Sequence, residues 1–353
     1  MKKTNAYISI LSLAALSACA PQDMSFTAST LASSSPPGQS DTIIPSRGVN
    51  QNFDIRENSK IDVLFVVDNS GSMAEEQANM SSKISGFMNL VDHLDWRVAL
   101  TTTDPRINTT DSNGGSSPWG DGQFRPMISG KRFMSKTDGT KDQAQAALAQ
   151  AIMLGDKGNG DERPIYSISR AIERDVALPA ADRFFRADSN LVVIIISDED
   201  ECSNGQCTTG FDVSKSQPAN LVSLVRSKLG AEKVMMVDTI VKSPGDSSCT
   251  TSNQPAPILI SLAQLTGGIV GSICATDYTA ILKNAGDAAV SLTRAVSLSC
   301  KPIDADNDGK VDLVIKDSAG NTISSGYSVS GNIVTFNSSL ANGSYKADFR
   351  CAM

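Results

Sequence analysis

Lys60-Ile61-Asp62-Val63-Leu64-Phe65-Val66-Val67 decides the fold. After Asp62 the stretch is apolar and largely β-branched with no alternation, as expected of a strand buried on both faces of a parallel sheet. The chain turns at once into Asp68-Asn69-Ser70-Gly71-Ser72-Met73. A carboxylate followed by two hydroxyls at every second residue, on a turn loosened by Gly71, offers three hard oxygen ligands on one side. Such ligands suit Mg²⁺, Mn²⁺ or Ca²⁺ and not zinc. The same residues also read as an Asx-turn and helix N-cap, a common use of Asp and Ser at such a place.

Working outward, residues 74–94 have a helical period with Met80, Ile84, Phe87, Met88 and Val91 on one stripe. Residues 96–103 are a second strand. It ends in Thr101-Thr102-Thr103-Asp104, which reads either as a polar rim beside the first turn or as a strand stopping at Asp104-Pro105. Residues 104–130 are rich in Gly, Ser, Asn and Pro and read as a long loop, followed by a short strand at 131–135. Residues 142–153 are helical, and a further helix opens at Pro164, where a missing N–H costs nothing.

Residues 191–197 form the most apolar strand and end in Ser197-Asp198-Glu199-Asp200-Glu201, of which 199–201 read as a solvated loop. A helix at 219–229, a strand at 234–241, a helix near 257–265, a strand at 268–273 and a helix from Thr279 follow. Strands separated by helices mean βαβ units. The expected fold is α/β: a doubly wound, mostly parallel sheet flanked by helices, plus a small C-terminal all-β module. Ligands of such sheets bind at the carboxyl ends of the strands, which draws Asp68 and Asp198 together.

Composition narrows the chemistry. Of 353 residues, 40% are apolar and 20% charged, with Lys and Arg at 31 against Asp and Glu at 38, a net charge of −7. An acidic chain without a basic block is a poor binder of nucleic-acid phosphates. A single histidine, His93, excludes His-rich zinc centres, and it lies on a helix flank away from the strand ends. No Gly-rich phosphate loop, Cys-His dyad or Gly-x-Ser-x-Gly elbow is present, so catalysis is not expected.

At the N-terminus, Lys2 and Lys3 precede an apolar stretch at 6–18, too short to span a bilayer but suited to a signal h-region. Leu16-Ser17-Ala18-Cys19 resembles the lipobox of a bacterial lipoprotein. The resemblance implies a signal peptide at 1–19, acylation of Cys19, and attachment by lipid to the outer membrane or cell surface. A plain secretory peptide is the alternative. Residues 20–52, rich in Ser, Thr, Pro and Gly, read as a flexible tether.

With the strand before it and the Asp-terminated strand later, Asp68-Asn69-Ser70-Gly71-Ser72 resembles the metal-ion-dependent adhesion motif, Asp-x-Ser-x-Ser, of the von Willebrand factor A domain. The resemblance covers residues from about Phe53 to Ala289, and the domain is assigned to 53–297. It implies a divalent ion held by Asp68, Ser70 and Ser72, with Asp198 acting through water and one coordination position left for a partner's acidic side chain. Family members also supply a threonine before the central helix. Here Glu162 stands at that position, with Asp161 beside it, which makes the expected site more anionic.

Beyond Cys19, six cysteines remain: Cys202, Cys207, Cys249, Cys274, Cys300 and Cys351. An even count in an exported chain reads as disulfides, and nearest-neighbour pairing gives 202–207, 249–274 and 300–351. Residues 298–353 show short alternating strands with good turn sequences between them, a module too small to bury much core, so a disulfide across its ends makes sense. Within it, Asp304, Asp306, Asp308 and Asp312 resemble half of a calcium loop, with Ile315 where an EF-hand wants Glu. An Asp-rich connection between strands is the alternative.

The expected function is that of a lipid-anchored envelope or surface protein whose metal site binds another protein, in adhesion or recognition. The alternative is an envelope scaffold or assembly factor in which the metal is structural or absent.

Overall fold

The computed structural model describes residues 44–55, 58–107, 118–158, 160–202, 211–250, 254–337 and 340–353. Its first half contains β1 (Ser46–Ile55), β2 (Lys60–Val67), α1 (Ala74–Val91), β3 (Asp95–Thr102), β4 (Met134–Ser135), α2 (Lys141–Ile152), α3 (Pro164–Val176) and β5 (Asn190–Ile196). Then come α4 (Pro218–Leu229), β6 (Met235–Val241), α5 (Pro257–Leu265), β7 (Val270–Ser272) and α6 (Thr279–Ser291). The last part holds β8 (Ala295–Ser297), β9 (Leu313–Asp317), β10 (Thr322–Ile323), β11 (Tyr327–Ser330), β12 (Ile333–Phe336) and β13 (Gly343–Ala352).

The six-stranded sheet has the order β4-β3-β2-β5-β6-β7. All its pairings are parallel except that of β4, which runs antiparallel at the edge. Both faces are covered, which explains the unbroken apolar run of β2. Val63, Phe65 and Val67 pack with residues of α1, α2 and α6, while Leu64 and Val66 pack with those of α3, α4 and α5. β5 divides its side chains in the same way, Ile194 and Ile196 to the first layer and Val193 and Ile195 to the second. Each fully buried aliphatic side chain contributes roughly 1.5–3 kcal/mol, so these two strands carry much of the core.

Because β3 lies on one side of β2 and β5 on the other, the connections diverge there. The carboxyl ends of β2 and β5 are therefore the place where an open parallel sheet of this topology generally binds its ligands. The mixed α/β fold with a mostly parallel sheet flanked by helices is the expected one.

The β module has a different N-terminal boundary from the expected one. Residues 46–52, read as tether, belong to β1, which pairs antiparallel with β13 from Ser46↔Ala352 to Ile55↔Gly343. Period two is present at Val49, Gln51, Phe53 and Ile55, but polar neighbours hide it and Gln51 occupies an inward position. There its side chain donates to Ser297 O (2.8 Å) and accepts from Ser299 N (2.8 Å), joining the sheet β1-β13-β9-β10 to the sheet β11-β12-β8. Phe53 centres their shared core, its ring 5.7 Å from Phe336 and 6.1 Å from Tyr345. Residues 1–19 and Cys19, like the rest of the tether to residue 43, lie outside the described residues.

Cys249–Cys274 and Cys300–Cys351 are disulfides. Cys202 is disulfide-bonded as well, while Cys207 lies outside the described residues. Among the described residues no helix is long and apolar enough to cross a membrane.

Candidate metal centre

The turn after β2 is built by its own carboxylate. Asp68 Oδ1 accepts from Ser70 N (2.8 Å), an Asx-turn, and Oδ2 accepts from Ser197 Oγ (2.6 Å) at the end of β5. Asp68 N donates to Ile196 O (3.0 Å), so the first turn and the end of β5 are tied through backbone and side chain alike. Ser72 Oγ donates to Asp198 Oδ2 at 2.6 Å. Ser70 Oγ and Ser72 Oγ stand 3.5 Å apart. Cis ligands of an octahedral Mg²⁺ stand about 3 Å apart, so a small closing shift lets both hydroxyls meet one ion. With its proton on Asp198, the Ser72 oxygen keeps its lone pairs for a cation, and Ser72 itself is exposed.

Gly71 does not use left-handed backbone, so its expected loosening role is not what shapes the turn. The glycine that matters here is Gly158. Its N–H donates to Asn69 O (2.7 Å), and a Cβ on it would stand 2.5 Å from the Asn69 side chain. Gln77 completes the packing from α1, donating to Asp68 O (2.8 Å) and Gly155 O (2.9 Å).

Of the two acidic residues before α3, Asp161 pairs with Arg163 Nε (3.0 Å), while Glu162 is buried. The backbone around Glu162 reaches the residue after β3 and the acidic loop beyond β5: Arg163 N donates to Thr103 O (2.9 Å), and Cys202 N donates to the Glu162 carbonyl (2.8 Å). Glu162 therefore lies on the side of the sheet where β3 ends. The three carboxylates of Asp68, Glu162 and Asp198 are not drawn into one tight cluster, however. Among the described residues, only Asp304, Asp306 and Asp308 bring three carboxylate oxygens within 4.8 Å of one another.

The electrostatics favour a cation. Burial pushes the Asp68 carboxyl well above the usual carboxylate range, and the charge of Asp198 pushes it further; the Ser197 and Ser70 hydrogen bonds oppose this. Burial also raises Asp198, with Ser72 opposing. Two mutually repelling buried carboxylates beside two hydroxyls are a donor set that a divalent ion would stabilise.

The acidic run after Asp198 is not the solvated loop expected of residues 199–201. Asp200 and Glu201 are buried, 3% and 0% exposed. Asp200 accepts from Ile258 N and Leu259 N (both 3.0 Å) at the start of α5. Glu201 accepts from Ile165 N (2.6 Å) and Tyr166 N (3.2 Å) at the start of α3. Both helices open with proline, and their N-cap residues, Arg163 and Ala256, provide no side-chain cap. Orphan N–H groups and the positive end of the helix dipole therefore take carboxylates from elsewhere. Burial pushes the Glu201 carboxyl up to about 8. One loop thus sends Asp198 to the start of α1, Asp200 to α5 and Glu201 to α3.

The residues at the end of β3 are buried too: Thr101 Oγ1 donates to Gln123 O (2.8 Å), and Asp104 O accepts from Asp121 N (2.8 Å). This is a strand ending in a packed turn. His93 is exposed between α1 and β3, at the opposite end of the sheet.

In the Asp304 loop, Asp304 accepts from Asp308 N (3.1 Å) and Gly309 N (2.8 Å), and Asp312 from Ala305 N (3.0 Å). Ile315, at the expected Glu position, is fully buried in the β module. The loop is thereby closed by its own backbone.

No family model and no curated protein matches the chain. Among solved structures it is similar to proximal thread matrix protein 1 from the mussel byssus, at TM-score 0.37 and 15% identity over 69% of this chain and 48% of that one. It is also similar to the pilus adhesin SpaC from Lactobacillus rhamnosus GG in its open conformation, at TM-score 0.37 and 11% identity over 88% of this chain and 41% of that one. The chain spans less than half the length of either structure, and likenesses this weak carry no argument.

Proposed function

We propose that this chain is a von Willebrand factor A-type binding protein that engages a protein partner through a divalent metal. In this reading Asp68, Ser70 and Ser72 hold Mg²⁺ (or Mn²⁺ or Ca²⁺), and Glu162 and Asp198 complete its surroundings. The bound ion would supply a positive charge and an open coordination position for an acidic side chain of the partner. The protein's own residues do the rest: Ser197 and the Ser70 N–H orient Asp68, Asp198 orients the Ser72 hydroxyl, and exposed Ser72 leaves the site accessible. Acylated Cys19 and the Ser/Pro-rich residues after it would hold the domain at the outer membrane or cell surface, for adhesion or recognition and not catalysis.

The observation that carries this reading is the pair of serine hydroxyls, 3.5 Å apart, with Ser72 held by Asp198 from a different strand. Thermal melting in millimolar Mg²⁺ or Mn²⁺ against chelator tests it. The melting temperature should rise with metal in the wild type and not in Asp68→Ala, because a ligand that binds only the folded state stabilises it by RT ln(1 + [L]/Kd). No shift in the wild type would overturn it.

One observation favours a second reading. Both Asp68 oxygens already accept hydrogen bonds within the protein, so the turn is held without an ion. An envelope scaffold or assembly factor with a structural or absent metal would keep that turn, and its assembly would survive chelation.

A further inference from the structure

Strand β1 is an open edge of the β module. Its ten residues run in unbroken register along β13, and among the described residues no strand pairs with its other side. The remaining edge strands, β4, β7, β8, β10 and β11, are two to four residues long. Long edges are usually blunted by proline, lysine or a bulge, because their unpaired N–H and C=O groups recruit further strands. β1 has none of the three.

The ladder fixes which groups face that side. Met353 N donates to Pro45 O, whereas Arg350 N turns the other way, to Asp312 O before β9. Peptide groups alternate in direction along an antiparallel ladder, so Val49, Gln51 and Phe53 bond to β13 while Gly48, Asn50 and Asn52 turn their N–H and C=O outward. The same alternation holds in β8. Leu298 N donates to Asn332 O, toward β12, so Ser297 and Ser299 face away from that strand. There the Gln51 carboxamide bonds Ser297 O and Ser299 N, as the peptide of a neighbouring strand would. Two residues back, at Ala295, a cleft of 490 Å³ opens. It is lined by Asn52 and Asp54 of β1, by Ala295 and Val296 of β8, and by Asn190 and Val234 at the amino ends of β5 and β6. An extended chain laid along the outer side of Asn50 and Asn52 enters this cleft.

We propose that the outer edge of β1 takes an extended, basic segment of a partner protein as an added strand, with lysine or arginine alternating with aliphatic residues. Backbone pairing supplies the affinity in such an arrangement, and the walls supply the preference. Among the described residues lining the cleft, the charged ones are Asp54 and Glu232, both acidic, and Val234 and Val296 give it an apolar part. A second copy of β1 would bring the same acids against one another. The chain's own residues before β1 fit poorly: a tight hairpin back along the edge would run Pro36 and Pro37 into the ladder, where proline has no N–H to give. The site lies at the amino ends of β5 and β6, away from the turns that carry Asp68 and Asp198, and needs no metal.

The probes are short acetylated peptides of alternating valine and lysine, titrated calorimetrically into the full chain beside valine–glutamate peptides of the same length. Two further lysine peptides are N-methylated, each at one of the two sets of alternate amides. The lysine peptide should bind about fivefold more tightly than the glutamate peptide, and Glu232→Lys should reverse that order. Methylating the set that faces β1 should weaken binding by about tenfold or more, and methylating the other set should leave it unchanged. Asn52→Pro removes an outward N–H and no bond to β13, so it should weaken binding likewise with the urea midpoint retained. The affinity should be the same in Mg²⁺ and in chelator, so this proposal and the metal reading stand or fall separately. No binding of the lysine peptide, equal effects of the two methylations, or a preference unchanged in Glu232→Lys overturns it. So does a dimer of the free protein that Asn52→Pro dissociates, which would give the edge to a second copy.

Discussion

Ser72 and Asp198 meet at 2.6 Å although 126 residues separate them in the chain. The contact joins the turn after β2 to the residues following β5, where the sheet's connections diverge. It occupies the proton of an exposed hydroxyl that stands 3.5 Å from a second one. Replacing Ser72 by Ala should therefore weaken Mn²⁺ binding by roughly tenfold or more while leaving folding intact, since exposed substitutions cost little stability. Calorimetric titration with Mn²⁺, with a urea unfolding curve as control, checks both halves.

Glu201 is expected to matter for stability far more than a loop acid would. Glu201→Ala leaves the Ile165 and Tyr166 N–H groups at the start of α3 without an acceptor, at a cost of about 1–3 kcal/mol in urea unfolding. Glu201→Gln keeps an acceptor oxygen and should fall between the two. Equal stability of all three proteins would contradict the capping role.

Asp238 gives a pH prediction with a definite sign. It is buried in β6 with one hydrogen bond, from Ile269 N (2.9 Å), and burial pushes its carboxyl up to about 7. The folded state thus keeps a proton that the unfolded chain has released. Its contribution is full below the unfolded value of 3.8 and is lost as pH rises through about 7. Between those limits the wild type should lose up to about 1.4 kcal/mol per pH unit relative to Asp238→Asn, which has nothing to ionise. Urea midpoints of both proteins at pH about 5 and about 7 measure the difference; parallel curves would contradict it.

The Cys300–Cys351 bridge spans 51 residues and fastens β13, which in turn pairs with all of β1. Changing both cysteines to serine should cost about 2–4 kcal/mol. Amide exchange should speed up first in β1 and β13, with the parallel sheet still protected. Uniform loosening would mean that the two parts unfold as one unit.

The Asp304 loop should bind Ca²⁺ only weakly, with Kd no tighter than about 10⁻⁴ M, because backbone N–H groups already engage Asp304 and the usual bidentate Glu is replaced by buried Ile315. Calorimetry on the wild type and Asp306→Asn reads this directly, and tight binding lost in the variant would overturn it.

Much of this architecture was legible in the sequence because burial on both faces writes itself into β2 and β5 as uninterrupted aliphatic runs. The ends of those runs located Asp68 and Asp198 without further help. β1 was hidden by Gly48, Asn50, Gln51 and Asn52, whose polarity reflects an edge strand and a side-chain bridge between sheets. The burial of Asp200 and Glu201 was hidden for a different reason. Four consecutive acids read as solvated, and their partners lie 58 and 36 residues away in helices that begin with proline. Ser197 was visible beside Asp198, but its role toward Asp68 depends on the pairing of two strands. Gln77 and Gly158 carried no local signal at all.

The most direct measurement is crystallographic: crystals of the protein soaked in Mn²⁺, with anomalous data collected at the manganese edge. The account predicts an anomalous peak within coordination distance of both Ser70 Oγ and Ser72 Oγ, absent from Asp68→Ala crystals treated alike. A wild-type map with no peak there, the Asp68 and Asp198 hydrogen bonds unchanged and only water beside the two serines, would contradict it.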